Sequence, residues 1–197
     1  MSHYYEKKQT SPLDLRKFDA IIRGNRLDFY TASGVFSKSK IDKGSLLLAN
    51  KAIIKDNWKI LDFGCGYGAI GIAIAKENPS VNVVMSDINK RAIMLSKRNI
   101  ELNSLKNATA LQSDLFMNIT EKFDSILLNP PQAAGKDLCI KMIEQSKDFL
   151  EKNGLFQMVA RHNIGGRELE KRIVRVFGNV KEIAKKGGFR IYVALRN

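Results

Sequence analysis

Cysteine is scarce in this sequence: Cys65 and Cys139 are the only two in 197 residues, with no C-x-x-C pair and no Cys/His cluster. That excludes a disulfide framework and leaves no metal-ligand spacing. Histidine is equally rare. His3 and His162 lie far apart, and each reads as a surface residue. No apolar run reaches the roughly 18 residues of a membrane span, and the polar start MSHYYEKKQT has no signal-peptide character. These absences lead to the expectation of a reduced, cytoplasmic chain without membrane contact. Acid is the last shortage: 20 Asp+Glu stand against 33 Lys+Arg, a formal net charge of +13. Such an excess favours a polyanionic partner, nucleic acid first, because neutralised phosphates release counterions.

What is present, 44% hydrophobic and 27% charged residues, suits one well-cored domain with a short extension. Beyond residue 58, strand-like runs alternate with amphipathic helices, the pattern of a parallel α/β sheet. Strands are expected at Lys59–Phe63, Val81–Ser86, Ala108–Gln112, Asp124–Leu128 and Leu155–Ala160, with helices at about 69–77, 89–102, 137–152 and 166–177. In the third helix Leu138, Met142, Ile143, Phe149 and Leu150 fall on one face, and Asn153-Gly154 supplies the stop. Val180–Lys186 and Phe189–Arg196 flank Gly187-Gly188 and read as a closing hairpin, so one strand runs antiparallel. Residues 1–57 are expected to form an extension packed on a main domain of residues 58–197. It would hold a small hairpin turning at Gly24-Asn25, then a helix over Ile41–Ile54.

The stretch Ile60-Leu61-Asp62-Phe63-Gly64-Cys65-Gly66-Tyr67-Gly68 reads as strand, glycine turn and helix start. Glycine admits positive φ and lets a ligand approach the backbone, and a helix amino terminus offers N–H groups to it. Gly66, Gly68 and Gly71 also spell the dinucleotide fingerprint. Asp62 argues against that reading, since a carboxylate there repels a pyrophosphate and suits a cationic ligand end; nor is there a dehydrogenase constellation of His, Lys or Tyr. Asp87 follows the second strand, where a carboxylate can take both ribose hydroxyls; helix capping is its other reading. Asp114 ends the third strand and can accept from an adenine amino group, with Ile88 and Leu115 sandwiching the ring. A cationic amino-acid end, a ribose and an adenine on three successive strands outline S-adenosylmethionine.

The D-x-G-x-G-x-G run, the acids after the second and third strands, and Asn129-Pro130-Pro131 after the fourth resemble the class I methyltransferases. The N-P-P element is similar to that of enzymes that methylate planar amino nitrogens. More narrowly, Gly34-Val35-Phe36-Ser37, then Asp42-x-Gly44-Ser45-x-Leu47-Leu48, and the closing Gly188-Phe189-Arg190-Ile191-Tyr192 resemble the 16S ribosomal RNA guanine-N2 methyltransferases. The likeness runs from about residue 20 to the carboxyl terminus. It implies a Rossmann-like α/β fold: a seven-stranded mostly parallel sheet, one antiparallel strand near the carboxyl terminus, and helices on both faces. It implies S-adenosylmethionine as cofactor, without a metal, and ribosomal RNA as partner, with transfer RNA next. N6-adenine and protein glutamine N5 transfer use the same N-P-P loop. A non-catalytic, cofactor-sensing RNA-binding module is the reading from another class. The bacterial enzymes carry an additional amino-terminal half, and this chain has the length of shorter, archaeal-type relatives, as a monomer or homodimer.

The resemblance also implies roles residue by residue. Asp62, Gly64, Cys65, Gly66, Gly68, Asp87, Ile88, Asp114 and Leu115 would hold the cofactor, Cys65 by lending its backbone N–H. Asn129 and Pro130 would be catalytic: the Asn129 side-chain oxygen and the Pro130 carbonyl accept the two hydrogens of the target amino group. Proline fixes φ and has no N–H, so the carbonyl is expected to be rigid with no donor competing beside it. Phe36, Pro131, Gln132, Lys136 and Arg190 would meet the substrate. Gln132 stands where the family usually has Phe or Tyr to stack on the base, and Phe36, Tyr30 or Phe189 would supply that surface instead. Lys38, Lys40, Arg161, Lys185 and Lys186 complete the expected basic approach face.

Overall fold

The computed structural model describes residues 12–37 and 40–197; His3, Lys38 and the polar start of the chain lie outside the described residues. Strands β1 (Leu15–Ile22) and β2 (Asn25–Ala32) form an antiparallel hairpin. Its turn is Arg23-Gly24, with φ of 50° and 76°, the positive pair that a two-residue hairpin turn needs. Asn25, expected in the turn, instead opens β2 and pairs with Ile22. Arg23 is held in that conformation from outside: its N–H donates to Asn50 Oδ1 at 3.0 Å and its guanidinium to the Ala49 carbonyl at 2.8 Å. Helix α1 (Lys43–Lys51) follows, shorter than expected, its amino terminus capped by Asp42.

The main sheet is built from β3 (Lys59–Phe63), β4 (Asn82–Asp87), β5 (Ala108–Gln112), β6 (Phe123–Leu128), β7 (Leu150–Arg161), β8 (Lys181–Lys186) and β9 (Phe189–Leu195). Its order is β5-β4-β3-β6-β7-β9-β8. All pairings are parallel up to β7, and β9 runs antiparallel to both its neighbours. Between strands run α2 (Ala69–Glu77), α3 (Lys90–Leu102), α4 (Lys136–Ser146) and α5 (Arg167–Phe177).

Strand side chains alternate between two cores, as a period of two dictates. Ile60, Val83, Met85, Leu127 and Val159 bury against α1, α2, α3 and the hairpin. Leu61, Phe63, Val84, Leu128 and Met158 bury against α4 and α5. Both faces being covered, the strands read as continuous apolar runs. Helix α4 ends at Ser146 rather than near 152. Phe149 stacks on Phe116 at 4.1 Å between ring centroids, and Leu150 pairs with Phe123 at the start of β7. Asn153 and Gly154 are therefore an irregularity inside β7, not a helix stop.

Carboxamide side chains fasten the amino-terminal elements to this body. Asn99 on α3 accepts from the Tyr30 N–H at 2.6 Å and donates to the Tyr30 carbonyl at 2.9 Å. One turn on, Asn103 treats Asp28 the same way, at 3.1 and 2.8 Å. Spaced by one helical turn, the two amides stand in for a missing strand along the edge of β2. Buried Gln157 on β7 clasps both backbone groups of Ile53 beyond α1, at 2.8 and 2.7 Å. These bonds pair the backbone N–H and carbonyl of Asp28, Tyr30 and Ile53.

Candidate active site

A cleft of about 410 Å³ opens at the carboxyl ends of β3, β4, β5 and β6, where the strand order reverses between β3 and β6. Open α/β sheets bind ligands at such a switch point. Val35, Phe36, Ser37 and Asp42 close it from the hairpin side. That segment is fastened to the amino end of α3, where Asn89 Nδ2 donates to the Gly34 carbonyl at 2.9 Å and Arg91 to the Ser33 carbonyl at 2.7 Å.

The glycine loop is stitched to the next strand, because Gly64 and Cys65 both donate their N–H to the Ser86 carbonyl, at 2.8 and 2.9 Å. Cys65 therefore has no N–H to lend a ligand, against expectation. Its thiol lies 3.6 Å from Ser96 Oγ, and burial lifts its pKa well above the ordinary thiol value, which disfavours the nucleophilic thiolate. Gly64 and Gly66 take φ of 73° and 59° and line the cleft; a Cβ on Gly66 would project into open space. Gly68 and Asp62 stand behind the wall rather than on it. A Cβ on Gly68 would come within 3.0 Å of Met85 Sδ, so this glycine serves helix packing. Asp62 is buried and accepts the Gly71 N–H at 2.8 Å.

Asp87 lines the cleft, with Oδ2 accepting from Gly66 N at 2.9 Å and Oδ1 from Asn89 N at 2.8 Å. Burial, partly offset by these N–H groups, pushes its pKa up to about 6. Asp62 is pushed up to about 7 by burial, with the Gly71 N–H lowering it and the charge of Asp87 raising it. Two carboxyls that ionise reluctantly beside one cleft suit a cationic ligand, whose charge favours the ionised forms. Ile88, Asp114 and Leu115 lie on the same wall.

The opposite wall is Asn129-Pro130-Pro131-Gln132 after β6. Asn129 Nδ2 donates to Asp42 Oδ2 at 3.0 Å and to Ser45 Oγ at 2.8 Å. Pro131 has φ −74° and ψ 73°, an inverse γ-turn in which Gln132 N donates to the Pro130 carbonyl at 2.8 Å. That carbonyl thus already accepts one N–H, contrary to expectation, and one lone pair remains to it. Gln132 does not face a base either. Its Oε1 accepts from Arg161 N at 3.0 Å and its Nε2 donates to the Ile164 carbonyl at 2.7 Å, fixing the turn that leaves β7.

Lys136 and Arg190 are outside the cleft wall. Lys136 lies 3.9 Å from Glu168, and Arg190 pairs with Glu182 across β8 and β9. Tyr30 is covered by Arg98, 4.1 Å from the ring centroid. Arg161 is the basic residue that does line the cleft, its guanidinium 5.2 Å over the Phe189 ring. With that face covered, Phe189 acts as a platform for Arg161. Phe36 lines the cleft at 39% exposure. His162 is no free surface residue: Nδ1 lies 2.7 Å from the Tyr192 hydroxyl and Nε2 accepts from Arg167 Nε at 2.9 Å.

Sequence reasoning gave Asp42, Ser45 and Tyr67 no role in the site, and expected Arg161 only as part of a basic approach face. Asp42 and Ser45 stood within the quoted D-x-G-S element, which was the signal available. Tyr67 lines the cleft beneath Phe29, ring centroids 5.8 Å apart. Its hydroxyl is raised mainly by burial and next by the charge of Asp42. Among the described residues no group of three or more His, Cys, Asp and Glu is placed to hold a metal, and no helix is long and apolar enough to cross a membrane.

The cleft fits S-adenosylmethionine on its own chemistry: a glycine cradle that a Cβ would fill, the carboxylates of Asp87 and Asp114 on its wall, and apolar Ile88 and Leu115 for a flat ring. Comparison with known proteins agrees. The methyltransferase small domain family model matches residues 26–193. YbxB of Bacillus subtilis (strain 168), an uncharacterized protein, is 35% identical over 98% of this chain and 97% of its own. Ribosomal RNA small subunit methyltransferase C of Actinobacillus pleuropneumoniae serotype 7 (strain AP76) is 32% identical, over 98% of this chain and 59% of its own. The solved T. Thermophilus 16S rRNA N2 G1207 methyltransferase (RsmC), in complex with AdoMet and guanosine, superposes with a TM-score of 0.84 at 27% identity. That match covers 96% of this chain and 52% of the other. The chain thus spans between half and three-fifths of these two methyltransferases and nearly all of YbxB. It belongs to the methyltransferase small domain family and is a class I S-adenosylmethionine-dependent methyltransferase.

Proposed function

We propose that the chain methylates an exocyclic amino nitrogen of a base in structured RNA, guanine N2 of ribosomal RNA first. The carrying observation is Asn129: its amide hydrogens are taken by Asp42 and Ser45, and its Oδ1 is left as an acceptor in the cleft. The net charge of +13 supports a polyanionic substrate, and the names of the two methyltransferase relatives support ribosomal RNA and N2.

S-adenosylmethionine, when bound, supplies a methyl group on a positively charged sulfur. The chain supplies position and charge complementarity. An amino nitrogen on a base is a poor nucleophile because its lone pair is delocalised into the ring. Asn129 Oδ1 accepts one of its hydrogens, and the remaining lone pair of the Pro130 carbonyl accepts the other. Held so, the nitrogen pyramidalises and aims its lone pair along the transfer line. Once it carries the fourth substituent it is cationic and acidic, and it sheds a proton to water. The base must leave its stack to enter the cleft, where Phe36 and the guanidinium of Arg161 offer planar faces.

The test is labelled methyl transfer to RNA from a strain lacking the gene. Asn129→Ala is expected to lower kcat by about 10²–10³, the scale for one preorganised polar contact, while S-adenosylhomocysteine still binds. An undiminished rate in that variant would remove the assigned mechanism, whereas cofactor binding with no transfer by the unaltered chain would favour a cofactor-sensing binding module.

A further inference from the structure

A carboxamide can occupy its site in two orientations of nearly equal shape, one presenting oxygen to the cleft and the other presenting NH₂. For the proposed chemistry only the first is useful, so something has to choose. Asn129 Nδ2 lies 3.0 Å from Asp42 Oδ2 and 2.8 Å from Ser45 Oγ, which takes both amide hydrogens. No hydrogen bond to Oδ1 comes from the described residues. A carboxylate accepts and does not donate, whereas a hydroxyl does either. Asp42 therefore sets the polarity and Ser45 reinforces it.

Asp42 is itself fixed. The same Oδ2 accepts the Ser45 N–H at 2.9 Å as the cap of α1, and the Asp42 carbonyl accepts from Leu46 N at 2.9 Å. A Cβ on Gly44 would lie 3.0 Å from that carboxylate oxygen and 2.8 Å from Phe189 Cε1, so the helix begins with the space cleared. Asp42, Ser45 and Asn129 all line the cleft.

We infer that Asp42 and Ser45 are positioning residues that lock the Asn129 amide with its oxygen toward the substrate. The lock also selects the substrate class. So locked, the Asn129 carboxamide turns its acceptor and not its N–H groups to the cleft, which favours a reacting nitrogen that brings a hydrogen. An amino group does; ring nitrogens that carry only a lone pair, such as purine N7 or adenine N1, meet the oxygen lone pairs and are disfavoured. This inference rests on the amino-nitrogen reading above.

The experiment compares full-length Asp42→Ala/Ser45→Ala, Ser45→Ala, Asp42→Asn and Asn129→Ala for methyl transfer to RNA from the deletion strain, with S-adenosylhomocysteine affinity measured in parallel. The double variant should lose kcat roughly tenfold or more, the scale of hydrogen bonds to a charged group, with the affinity within about twofold. Adding Asn129→Ala to it should cost nothing beyond Asn129→Ala alone, because the three act as one unit. Asp42→Asn keeps an oxygen for both N–H groups and should retain most of the activity. Should the double variant fail to fold, Ser45→Ala, which leaves the helix cap intact, must show the same non-additivity with Asn129→Ala at smaller size. Full multiplication of the effects, undiminished kcat in the double variant, or damage from Asp42→Asn equal to that of the double variant would each overturn the lock. If Asn129→Ala itself is fully active, the amino-nitrogen reading falls instead.

Discussion

Replacing Asn99 with alanine should unfold the link between the hairpin and the glycine loop. The side chain is fully buried and makes three bonds to backbone: from Tyr30 N at 2.6 Å, to the Tyr30 carbonyl at 2.9 Å and to the Tyr67 carbonyl at 3.0 Å. Alanine leaves three backbone groups without partners, the Tyr67 carbonyl buried and the two of Tyr30 partly so. Each such group costs about 1–3 kcal/mol, less where water gains entry, and the sum is about 3–5 kcal/mol. For a chain of this size each kcal/mol is worth about 2–4 °C, so Tm should fall by about 6–20 °C. Urea unfolding followed by circular dichroism measures the loss as a lower midpoint at unchanged slope. Because Tyr67 lines the cleft, S-adenosylhomocysteine should also bind the variant more weakly. Asn99→Asp should do no better than alanine, since it sets a second oxygen against two carbonyls. A loss below about 1 kcal/mol would refute the claim that these amides carry the attachment.

Asp62→Asn should stabilise the protein in a pH-dependent way. Burial raises the Asp62 carboxyl from an ordinary 3.8 to about 7, so the fold prefers the protonated form. Its contribution is fully present below about pH 4 and is lost as pH rises through 7. Asparagine keeps an oxygen for the Gly71 N–H and never ionises. The gain should approach about 4 kcal/mol at pH 8 as an upper limit, at about 1.4 kcal/mol per pH unit, and vanish near pH 4. Urea midpoints at the two pH values check it, and a pH-independent difference would contradict it. The loop glycines should separate packing from binding. In Gly71→Ala the new Cβ would come within 2.6 Å of Met85 Cγ, an overpacking cost of about 1–3 kcal/mol, with cofactor affinity of the folded fraction kept. In Gly66→Ala the Cβ meets only open cleft, so stability should fall by the cost of positive φ, about 1–2 kcal/mol, while S-adenosylhomocysteine affinity drops sharply.

The sheet was legible where its physics is local. Strands β3, β4 and β6 carry short runs of Val, Ile and Leu that stop near Gly64, Asp87 and Pro130, and the limits of all four strands β3–β6 fell within a residue of those read from the pattern. Phe149 and Leu150 misled because they continue the spacing of the α4 face, and only contacts with Phe116 and Phe123 show that they belong to the next strand. The candidate site divides the same way. Gly64, Gly66, Asp87 and Asn129 sit at strand ends or within three residues of them and lie on the cleft. The basic residues did not, since a net charge says nothing about partners: Lys136 and Arg190 face Glu168 and Glu182, whereas Arg161 reaches the cleft. Gln132 was readable as a departure from the aromatic pattern, but its bonds to Arg161 and Ile164 lie about thirty residues away. Asp42 is 87 residues from Asn129, a pairing no local pattern encodes.

The central claim is the identity of the nitrogen that receives the methyl group. RNA from a strain lacking the gene, treated with the protein and labelled S-adenosylmethionine, then digested to nucleosides and resolved by liquid chromatography and mass spectrometry, reads it directly. Label in N2-methylguanosine, dependent on Asn129, is the predicted result. Label in N6-methyladenosine, or in a protein glutamine with none in RNA, would contradict the guanine assignment.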